Sequence, residues 1–327
     1  MPLPRVDDLL GRLLVQCPPE RADTVAPIVA RYHSGLVLTG PKPRTTVRHL
    51  HQLDHPGPIL CDAGRYTGRH RVPAGVGLTA SWTAEQHDLG LVALTDSGYL
   101  APGDWRGLHR LLDDAANQPP PLLVTLPLSG GWFAERTWLT RLIATINKAG
   151  LPVAIVDGAV TRYISLVQSL SVPVMVLRSD INALGAVCHG AQAGALGVSS
   201  GLFVPALLGH HRPAVLARIV DRTPDLALLW PCRCPECDGT VPIHLTPDGI
   251  YRHSLHTQLM LSDRLRRDPA TMATSWREHC GRALAVHRRV ASVMPAWATP
   301  ASLRWWHELS PPSVPRQTAG ENAPRLG

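Results

Sequence analysis

The feature that most constrains the fold is a repeated alternation of short apolar runs, rich in β-branched residues, with stretches of helical pattern. This order is typical of β-strand–helix–β-strand units, which place their strands in one parallel sheet. Eight runs predict eight strands, and a closed (β/α)8 barrel of the TIM type is the simplest architecture for that number. A doubly wound open sheet has the same periodicity and remains the alternative. The runs are GLVLTG from Gly35, PILCD from Pro58, LVALTD from Leu91, LLVTLPL from Leu122, PVAIVDG from Pro152, VPVMVLR from Val172, ALGVSS from Ala195 and LALLWP from Leu226.

The segments outside this repeat divide the chain. Residues 1–33 are predicted to form two helices that pack on the bottom or side of a barrel made by residues 34–231. Residues 232–308 are predicted to form a small cysteine-containing subdomain with C-terminal helices. The Pro-rich, polar residues 309–327 have a composition typical of disorder. Helices are predicted between the strands at residues 104–116, 135–149, 160–170, 181–193 and 214–221.

The charge balance of the 327-residue chain favours an anionic partner. Its net charge is +7, and the helical C-terminal region has a group of cationic side chains that share one predicted face. Nucleic acid is the natural partner for such a surface, although a solvated basic surface explains the charge equally well. The residues of this face are Arg277, Arg282, His287, Arg288 and Arg289.

The sequence also bears on the compartment. The start, MPLPRVDDLLGRLL, has no apolar core or cleavage site of a secretory signal, and no run has the roughly 18 apolar residues of a membrane span. Seven cysteines, an odd number with three clustered, argue against a disulfide framework. We therefore expect a cytoplasmic protein without a membrane partner.

Three of the cysteines predict a metal site. Cys232, Cys234 and Cys237 lie within six positions, and thiolates this close repel one another unless a cation neutralises them. Tetrahedral zinc requires a fourth ligand, and His253 and His256, three residues apart on one helix face, are the best candidates. Three thiolates closed by one histidine leave no position for water, so the zinc would be structural. The alternative is a chance cluster of reduced cysteines.

Polar residues follow several predicted strands, where a barrel places its functional side chains. Carboxylates that meet at one barrel mouth can serve as a general base, a nucleophile and an acceptor for the edge of a nucleobase. Each aspartate could instead cap the following helix, which is the better interpretation for Asp180. For Asp62, which precedes a loop, a functional role is favoured. The residues at these ends are Asp62, Asp96, Asp157, Arg178, Asp180, Ser199 and Ser200.

Over residues 58–260, several of these segments resemble, in order, the motifs of the tRNA-guanine transglycosylase family. PILCDAGRYTG resembles PILTDSGGFQ, and EQHDLGLVALTD resembles IQ..LGSDI.M..DE. PVAIVDG falls where the family has a strand ending in Gly-Gly-Leu, and VPVMVLRSDINAL falls on YLMGVGTPEDL. CRCPEC and SLHTQ resemble the family's CxCxxC and its terminal T-x-H-N.

The resemblance implies a zinc-containing (β/α)8 barrel that exchanges guanine for a 7-deazaguanine base. It implies that Asp62 is the aspartate essential to the exchange and that Asp96 binds the base. It also implies that His256 is the fourth zinc ligand, and that the chain pairs as a homodimer. We expect substrate contacts from Asp157 and Arg178 in addition.

The sequence departs from the family at important positions. The stretch LGVSSGLFV has Ser199 where the family has its nucleophilic aspartate, so we take Asp62 and Ser199 as the candidate catalytic residues. A neutral serine needs an activating partner before it can displace a base from a ribose carbon. The strand ending in LPL lacks the family's base-reading glutamine, the double glycine has become Val156-Asp157-Gly158, and the interval from Cys237 to His256 is shorter.

Two functions therefore remain from the sequence. The first is base exchange or other N-glycosidic chemistry on a purine-like base in tRNA or DNA. The second is a barrel of the same fold that binds nucleic acid without catalysis, as the missing nucleophile and the basic balance suggest. A third reading is a zinc-stabilised barrel acting on an unrelated small molecule.

Overall fold

The computed structural model describes residues 4–69, 71–156, 164–197 and 201–310. Eight parallel strands form one sheet, and each consecutive pair is joined by a segment that includes a helix. The strands are β1 (Arg12–Cys17), β2 (Leu36–Thr39), β3 (Ile59–Asp62), β4 (Ala93–Leu94), β5 (Leu122–Leu126), β6 (Val153–Val156), β7 (Val174–Ser179) and β8 (Ala193–Gly197).

The sheet curls into a nearly closed barrel. Its strand order is β3-β2-β1-β8-β7-β6-β5-β4, and β3 also lies beside β4 at the remaining seam. The predicted (β/α)8 architecture is therefore confirmed. The helices are α1 (Ala22–Arg31), α2 (Arg44–Gln52), α3 (Ala80–Asp88), α4 (Trp105–Ala116), α5 (Arg136–Ala149), α6 (Ile164–Ser169), α7 (Asn182–Cys188), α8 (Pro213–Arg222), α9 (Pro247–Arg266), α10 (Met272–Val293) and α11 (Ala301–Glu308).

The first strand corrects the prediction for residues 1–33. Residues 12–17 were expected to be helical, but they form β1, which pairs with both β2 and β8. The sequence RLLVQC is buried almost throughout. A strand covered on both faces is continuously apolar, so its pattern cannot be distinguished from that of a buried helix. The second predicted helix of this segment is present as α1.

The last predicted strand is also wrong. The first four residues of the stretch LALLWP belong to a 3-10 helix, Pro224–Leu229. Because β1 lies between β2 and β8, the barrel has eight strands without a contribution from LALLWP. The barrel therefore starts at residue 12 and its last strand ends at residue 197, rather than extending over residues 34–231.

Alternation along the strands separates two apolar layers. Inward side chains such as Leu14, Val37 and Leu60 fill the barrel, while their outward neighbours pack against the helices. The interior is thus a packed core and not a pore. On β1, β2 and β3, the next inward position beyond this core is polar: it is Gln16 on β1, Thr39 on β2 and Asp62 on β3.

The described chain beyond the barrel forms a hairpin and four α-helices. Strands β9 (Leu202–Val204) and β10 (Gly209–His211) pair antiparallel, and the hairpin has its own apolar cluster with α8 and the segments that follow. Helices α10 and α11 pack on α7, where Trp306 donates a hydrogen bond of 2.7 Å to Asn182. Within the described ranges, no helix combines the length and the apolar character needed to cross a membrane.

Candidate functional site

Asp62 is the central residue of the barrel mouth. It ends β3, and its side chain is only 1% exposed. Its Oδ2 accepts hydrogen bonds from the Tyr66 hydroxyl (2.6 Å) and from Nε2 of Gln16 (2.8 Å), and its Oδ1 accepts one from the backbone of Gly64 (2.9 Å). A carboxyl group so enclosed has three donors fixed by the protein, which orient it without solvent.

The surroundings change the acidity of Asp62. Burial raises the pKa of its carboxyl group, because the anion loses hydration. The hydrogen bonds from Tyr66 and Gly64, the positive charge of Arg178 and the bond from Gln16 act in the opposite direction without cancelling the effect of burial. Asp62 thus holds its proton to a higher pH than an exposed aspartate does, which suits a group that donates and later accepts a proton.

Gln16 joins the strands that meet at this point. Its Nε2 donates to Thr39 Oγ1 (2.9 Å) as well as to Asp62, and its Oε1 accepts from the backbone N–H of Arg178 (2.9 Å). The amide therefore links β1 to β2, β3 and β7. Because its oxygen is used by a backbone donor, its nitrogen is directed towards Asp62. Gln16 is not among the residues predicted from the sequence, because its segment has the pattern of a helix, although a glutamine inside LLVQC is a visible signal.

Arg178 reaches the mouth through a bulge in β7. Val176 pairs with Gly194 and Ser179 pairs with Leu196, so two residues of β7 stand opposite one residue of β8. Arg178 has a φ of 53°, a left-handed conformation that a non-glycine residue adopts at a cost. The extra residue shifts the alternation and directs the side chain inwards, where its guanidinium lies 5.6 Å from the Tyr66 ring centroid.

Asp96 has a different environment from Asp62. It follows β4 and is 5% exposed. Its Oδ2 forms an ion pair with Arg65, whose guanidinium also donates to the Asp96 carbonyl oxygen, and its Oδ1 accepts from the backbone of Thr79 (2.9 Å). Both oxygens therefore fix the loops that follow β3 and the start of α3. This arrangement favours an anchoring role over the base-binding role expected from the sequence.

The remaining predicted residues divide as follows. Asp157 and Ser199 lie outside the described residues. Asp180 accepts a hydrogen bond of 2.9 Å from the backbone of Asn182, the first residue of α7, which agrees with the predicted capping role, although Ile181 is the residue directly before the helix. Thr125, on β5, has its hydroxyl fully buried, with no hydrogen-bond partner among the residues that the structure describes. A bound polar ligand or a water molecule is the natural partner for such a group.

The cysteine cluster forms a compact group with His253. Cys232, Cys234, Cys237 and His253 are all buried, and their ligand atoms lie within 4.8 Å of one another. Nδ1 of His253 is 3.1 Å from Sγ of Cys237 and 3.4 Å from Sγ of Cys234. The group could hold a metal ion, with His253 as the fourth ligand.

The structure brings His253 to the thiols, and not the expected ligand His256. Three residues along a helix correspond to a rise of about 4.5 Å, so His256 lies a turn beyond the thiols. Its Nδ1 is 3.0 Å from the Tyr32 hydroxyl, and its Nε2 is 4.0 Å from Oε1 of Glu236. His256 thus connects α9 to the end of α1 and to the cysteine loop, while His253 faces the thiols.

The acidity of the thiols reflects their mutual contacts. The hydrogen bond from Cys232, together with the bonds and charge of His253, lowers the pKa of Cys234, although burial acts in the opposite direction. The hydrogen bond to Cys234 and burial raise the pKa of Cys232, and burial raises that of Cys237. One thiolate stabilised by its neighbours is the ordinary state of such a cluster without a cation. A cation would allow all three to ionise.

The other ring nitrogen of His253 has its own partner. Nε2 lies 2.8 Å from the carbonyl oxygen of Phe203 on β9, and the Phe203 amide donates to Ser254 (3.0 Å). An N–H at Nε2 leaves the lone pair on Nδ1 free to bind a metal, and the carbonyl fixes the ring orientation. The cysteine cluster is thereby tied to the hairpin that follows β8.

The expected cationic face of α10 is partly neutralised. Arg289 forms an ion pair with Asp225, and Arg282 lies 4.0 Å from Glu278. His287 is completely buried. Its Nε2 lies 3.0 Å from the Leu207 carbonyl oxygen, and its Nδ1 accepts a hydrogen bond of 2.9 Å from the Trp297 indole. This face is thus a weaker candidate for nucleic-acid binding than the sequence indicates.

Comparisons with known proteins do not assign a family. No protein-family model matches the chain, and no curated protein matches it. The resemblance to the tRNA-guanine transglycosylases therefore rests on the sequence motifs and remains a prediction.

Proposed function

We propose that this protein handles a nucleobase of tRNA or DNA at the mouth of its barrel, with Asp62 as the group that exchanges a proton with the base or attacks the sugar. The main support is the environment of Asp62, a buried carboxyl with a raised pKa at the carboxyl end of a barrel strand. Perturbed acidity at this end of a barrel is typical of a reacting group. The motif PILCDAGRYTG supports the choice of substrate class.

The proposed chemistry uses both protonation states of the Asp62 carboxyl group. As the N-glycosidic bond breaks, its electron pair moves to the base nitrogen, and protonated Asp62 can donate a proton to the departing base. The sugar carbon becomes electron-poor, and the carboxylate that remains stabilises this positive charge or bonds to it. Water or an incoming base then bonds to the sugar carbon, displaces the carboxylate where a bond to it has formed, and gives a proton back to Asp62, which completes hydrolysis or exchange. The tyrosine and glutamine that contact Oδ2 orient the carboxyl group throughout.

Two other groups support a polar ligand. The fully buried Thr125 hydroxyl has no partner within the described ranges and could bond to the edge of a base. Asp96, whose oxygens already hold Arg65 and Thr79, would act by fixing the loop after β3.

We further propose that the cysteine cluster holds zinc as a structural ion. Usual zinc–sulfur and zinc–nitrogen lengths in a tetrahedron place a thiolate and an imidazole nitrogen about 3.5 Å apart. The distances of 3.1 and 3.4 Å from His253 Nδ1 are close to that value. Four protein ligands leave no place for substrate, so the ion would stabilise the hairpin and α9. The seven free thiols are compatible with a reducing compartment such as the cytoplasm.

The test is a base-exchange and base-release assay. The purified protein is incubated with tRNA, or with single-stranded or duplex DNA, and with labelled guanine or a labelled 7-deazaguanine. We expect incorporation or release that is lost in Asp62→Asn, a variant that keeps the shape of the side chain. Absence of both reactions with every substrate, or full activity in Asp62→Asn, would disprove the catalytic proposal.

A second candidate is nucleic-acid binding without base chemistry. Ser199 at the position of the family's nucleophilic aspartate favours it. Salt-dependent binding that is unchanged in Asp62→Asn, combined with no exchange or release, would select this function. No binding at low salt would exclude both candidates.

A further inference from the structure

Three arginines that lie in or after barrel strands form no ion pair with another residue that the structure describes. Arg69 and Arg71 lie in the loop after β3, Arg178 is the residue before the last one of β7, and all three are exposed. None of them takes part in an ion pair with the residues that the structure describes. In the same loop Arg65 is neutralised by Asp96. Among the described residues these charges therefore lack an ion-pair partner, although the charge of Arg178 also lowers the pKa of the buried Asp62.

Two of these arginines lie over tyrosine rings. The guanidinium carbon of Arg71 is 4.0 Å from the Tyr99 ring centroid, and that of Arg178 is 5.6 Å from the Tyr66 ring centroid. A ring beneath a guanidinium holds its plane in place. Arg178 also has a hydrogen bond with Tyr66, and its remaining N–H groups can bind an anion. Neighbouring guanidinium and aromatic groups are also the combination that binds phosphates and unstacked bases in single strands.

Backbone hydrogen bonds hold the loop after β3 in place. The Tyr99 amide donates to the Val72 carbonyl oxygen (2.7 Å), and the Val72 amide donates to the Arg65 carbonyl oxygen (2.8 Å). These bonds place Arg71 next to the loop that follows β4. Across the mouth, the bulge in β7 directs Arg178 towards Tyr66. The cations thus stand on two sides of Asp62 before any ligand arrives.

Access to Asp62 limits the form of the partner. Its carboxyl group is 1% exposed beneath Tyr66, and Arg178 lies over the same ring. A base within a duplex is stacked and paired, so it cannot reach a group enclosed in this way. A base that has left its stack can approach, while its neighbouring phosphates remain outside on the rim.

We propose that Arg69, Arg71 and Arg178 form a phosphate-binding rim that holds the backbone of single-stranded or extruded nucleic acid on either side of the nucleotide that enters the mouth. This inference rests on the proposed substrate class and adds the surface that binds it. It differs from the basic face of α10, where Arg282 and Arg289 have acidic neighbours and His287 is buried.

The test measures binding of a fluorescent oligonucleotide by anisotropy over a series of NaCl concentrations. The same sequence is used as single-stranded DNA, single-stranded RNA and duplex DNA. The variants are Arg71→Ala and Arg178→Gly, the latter because glycine accepts the positive φ. Arg48→Ala is the matched control, since Arg48 is exposed in the middle of α2 and takes part in no ion pair among the described residues.

We expect the single strand to bind more tightly than the duplex, and each rim variant to reduce the slope of log K against log salt by about 0.7. The double variant should lose about twice as much, and Arg48→Ala should keep the wild-type slope. Thermal unfolding of each variant verifies that the fold is retained. Equal slopes in wild type and rim variants, an equal loss in Arg48→Ala, or preference for the duplex would overturn the inference.

This outcome is independent of base chemistry. Binding that depends on Arg71 and Arg178 without exchange or release would retain the rim and reject the catalytic proposal. Exchange or release by a protein whose rim variants bind normally would retain the catalytic proposal and reject the rim.

Discussion

The amide nitrogen of Gln16 lies 2.8 Å from Oδ2 of Asp62, while its amide oxygen accepts a hydrogen bond from the backbone of Arg178. The same side chain thus fixes the candidate reactive carboxyl group and the bulged strand on the other side of the mouth. Because Gln16 is 5% exposed, water cannot readily replace it. The geometry of the mouth consequently depends on a residue of the first strand that itself performs no chemistry.

Gln16→Leu should lower the free energy of unfolding by about 1–3 kcal/mol, because a buried carboxyl and a buried N–H each lose a partner. It should also raise the pKa of Asp62 further, since the hydrogen bond from Gln16 lowers it. Urea unfolding measures the first effect, and carboxyl carbon NMR of Asp62 measures the second. Gln52→Leu, at the exposed end of α2, is the control and should change neither quantity. An unchanged Asp62 pKa in Gln16→Leu would argue against the positioning role.

Substitution of the two histidines of α9, His253 and His256, should have different effects on the metal content of the protein. His253→Ala removes the nitrogen that faces the thiols, so the purified protein should lose its bound metal and unfold at a lower temperature. His256→Ala removes only the contacts with Tyr32 and Glu236, so it should retain the metal and lose about 1 kcal/mol. Elemental analysis by mass spectrometry gives the metal content per chain. Loss of metal in His256→Ala alone would restore the ligand expected from the family resemblance.

Arg178 provides a test of strain at the rim. Its left-handed backbone costs about 1–2 kcal/mol for a residue with a Cβ atom, whereas glycine adopts it freely at a chain-entropy cost of about 0.4–1 kcal/mol. Arg178→Gly should therefore be as stable as wild type or up to about 1 kcal/mol more stable. Arg178→Val should be at least about 1 kcal/mol less stable, because a β-branched residue fits this conformation poorly.

Both Arg178 variants lack the guanidinium, so both should bind a single strand more weakly than wild type despite their opposite effects on stability. Urea unfolding and the anisotropy titration measure the two quantities on the same preparations. Binding that follows stability, with Arg178→Gly at the wild-type level, would mean that binding depends on an intact fold and not on the Arg178 guanidinium.

The sequence predicts the barrel because the alternation of apolar runs and helical stretches persists for most of the chain. It does not predict β1, since a strand buried on both faces lacks the two-residue period by which strands are distinguished from helices. That error also conceals Gln16. Asp62 and Asp96 can be predicted from the sequence, because functional side chains of a barrel lie at the carboxyl ends of its strands and only the position where each strand ends is needed.

Other features of the site depend on the three-dimensional arrangement of the chain, which the spacing of residues in the sequence does not give. His253 and His256 are equally plausible from their separation, and only the approach of α9 to the thiols distinguishes them. Arg178 follows a predicted strand, but no residue pattern shows that a bulge directs it into the mouth. The partners of the two aspartates distinguish their roles. Asp96 forms an ion pair with Arg65, which favours an anchoring role, whereas Asp62 forms no ion pair among the described residues.

Histidines buried in the neutral form should make the protein sensitive to mild acid. Burial, together with the charge that His287 and His210 carry when protonated, lowers the pKa of His211 to about 4. An unfolded histidine has a pKa near 6.5, so between about pH 6.5 and 4 the unfolded chain binds a proton that the folded chain does not. Stability should therefore be constant with respect to this group above pH 6.5 and should decrease as the pH falls through that window.

His211→Phe should remove this part of the acid sensitivity. The His211 ring is stacked on Trp297 at 5.0 Å, and phenylalanine preserves an aromatic contact without a titrating group. Urea unfolding at a series of pH values should show that the variant loses on the order of 2–3 kcal/mol less than wild type between neutral pH and pH 4. The lowered pKa values of His189 and His287 leave a residual slope in both proteins. Parallel curves for the two proteins over this range would mean that His211 does not titrate in the way its burial implies.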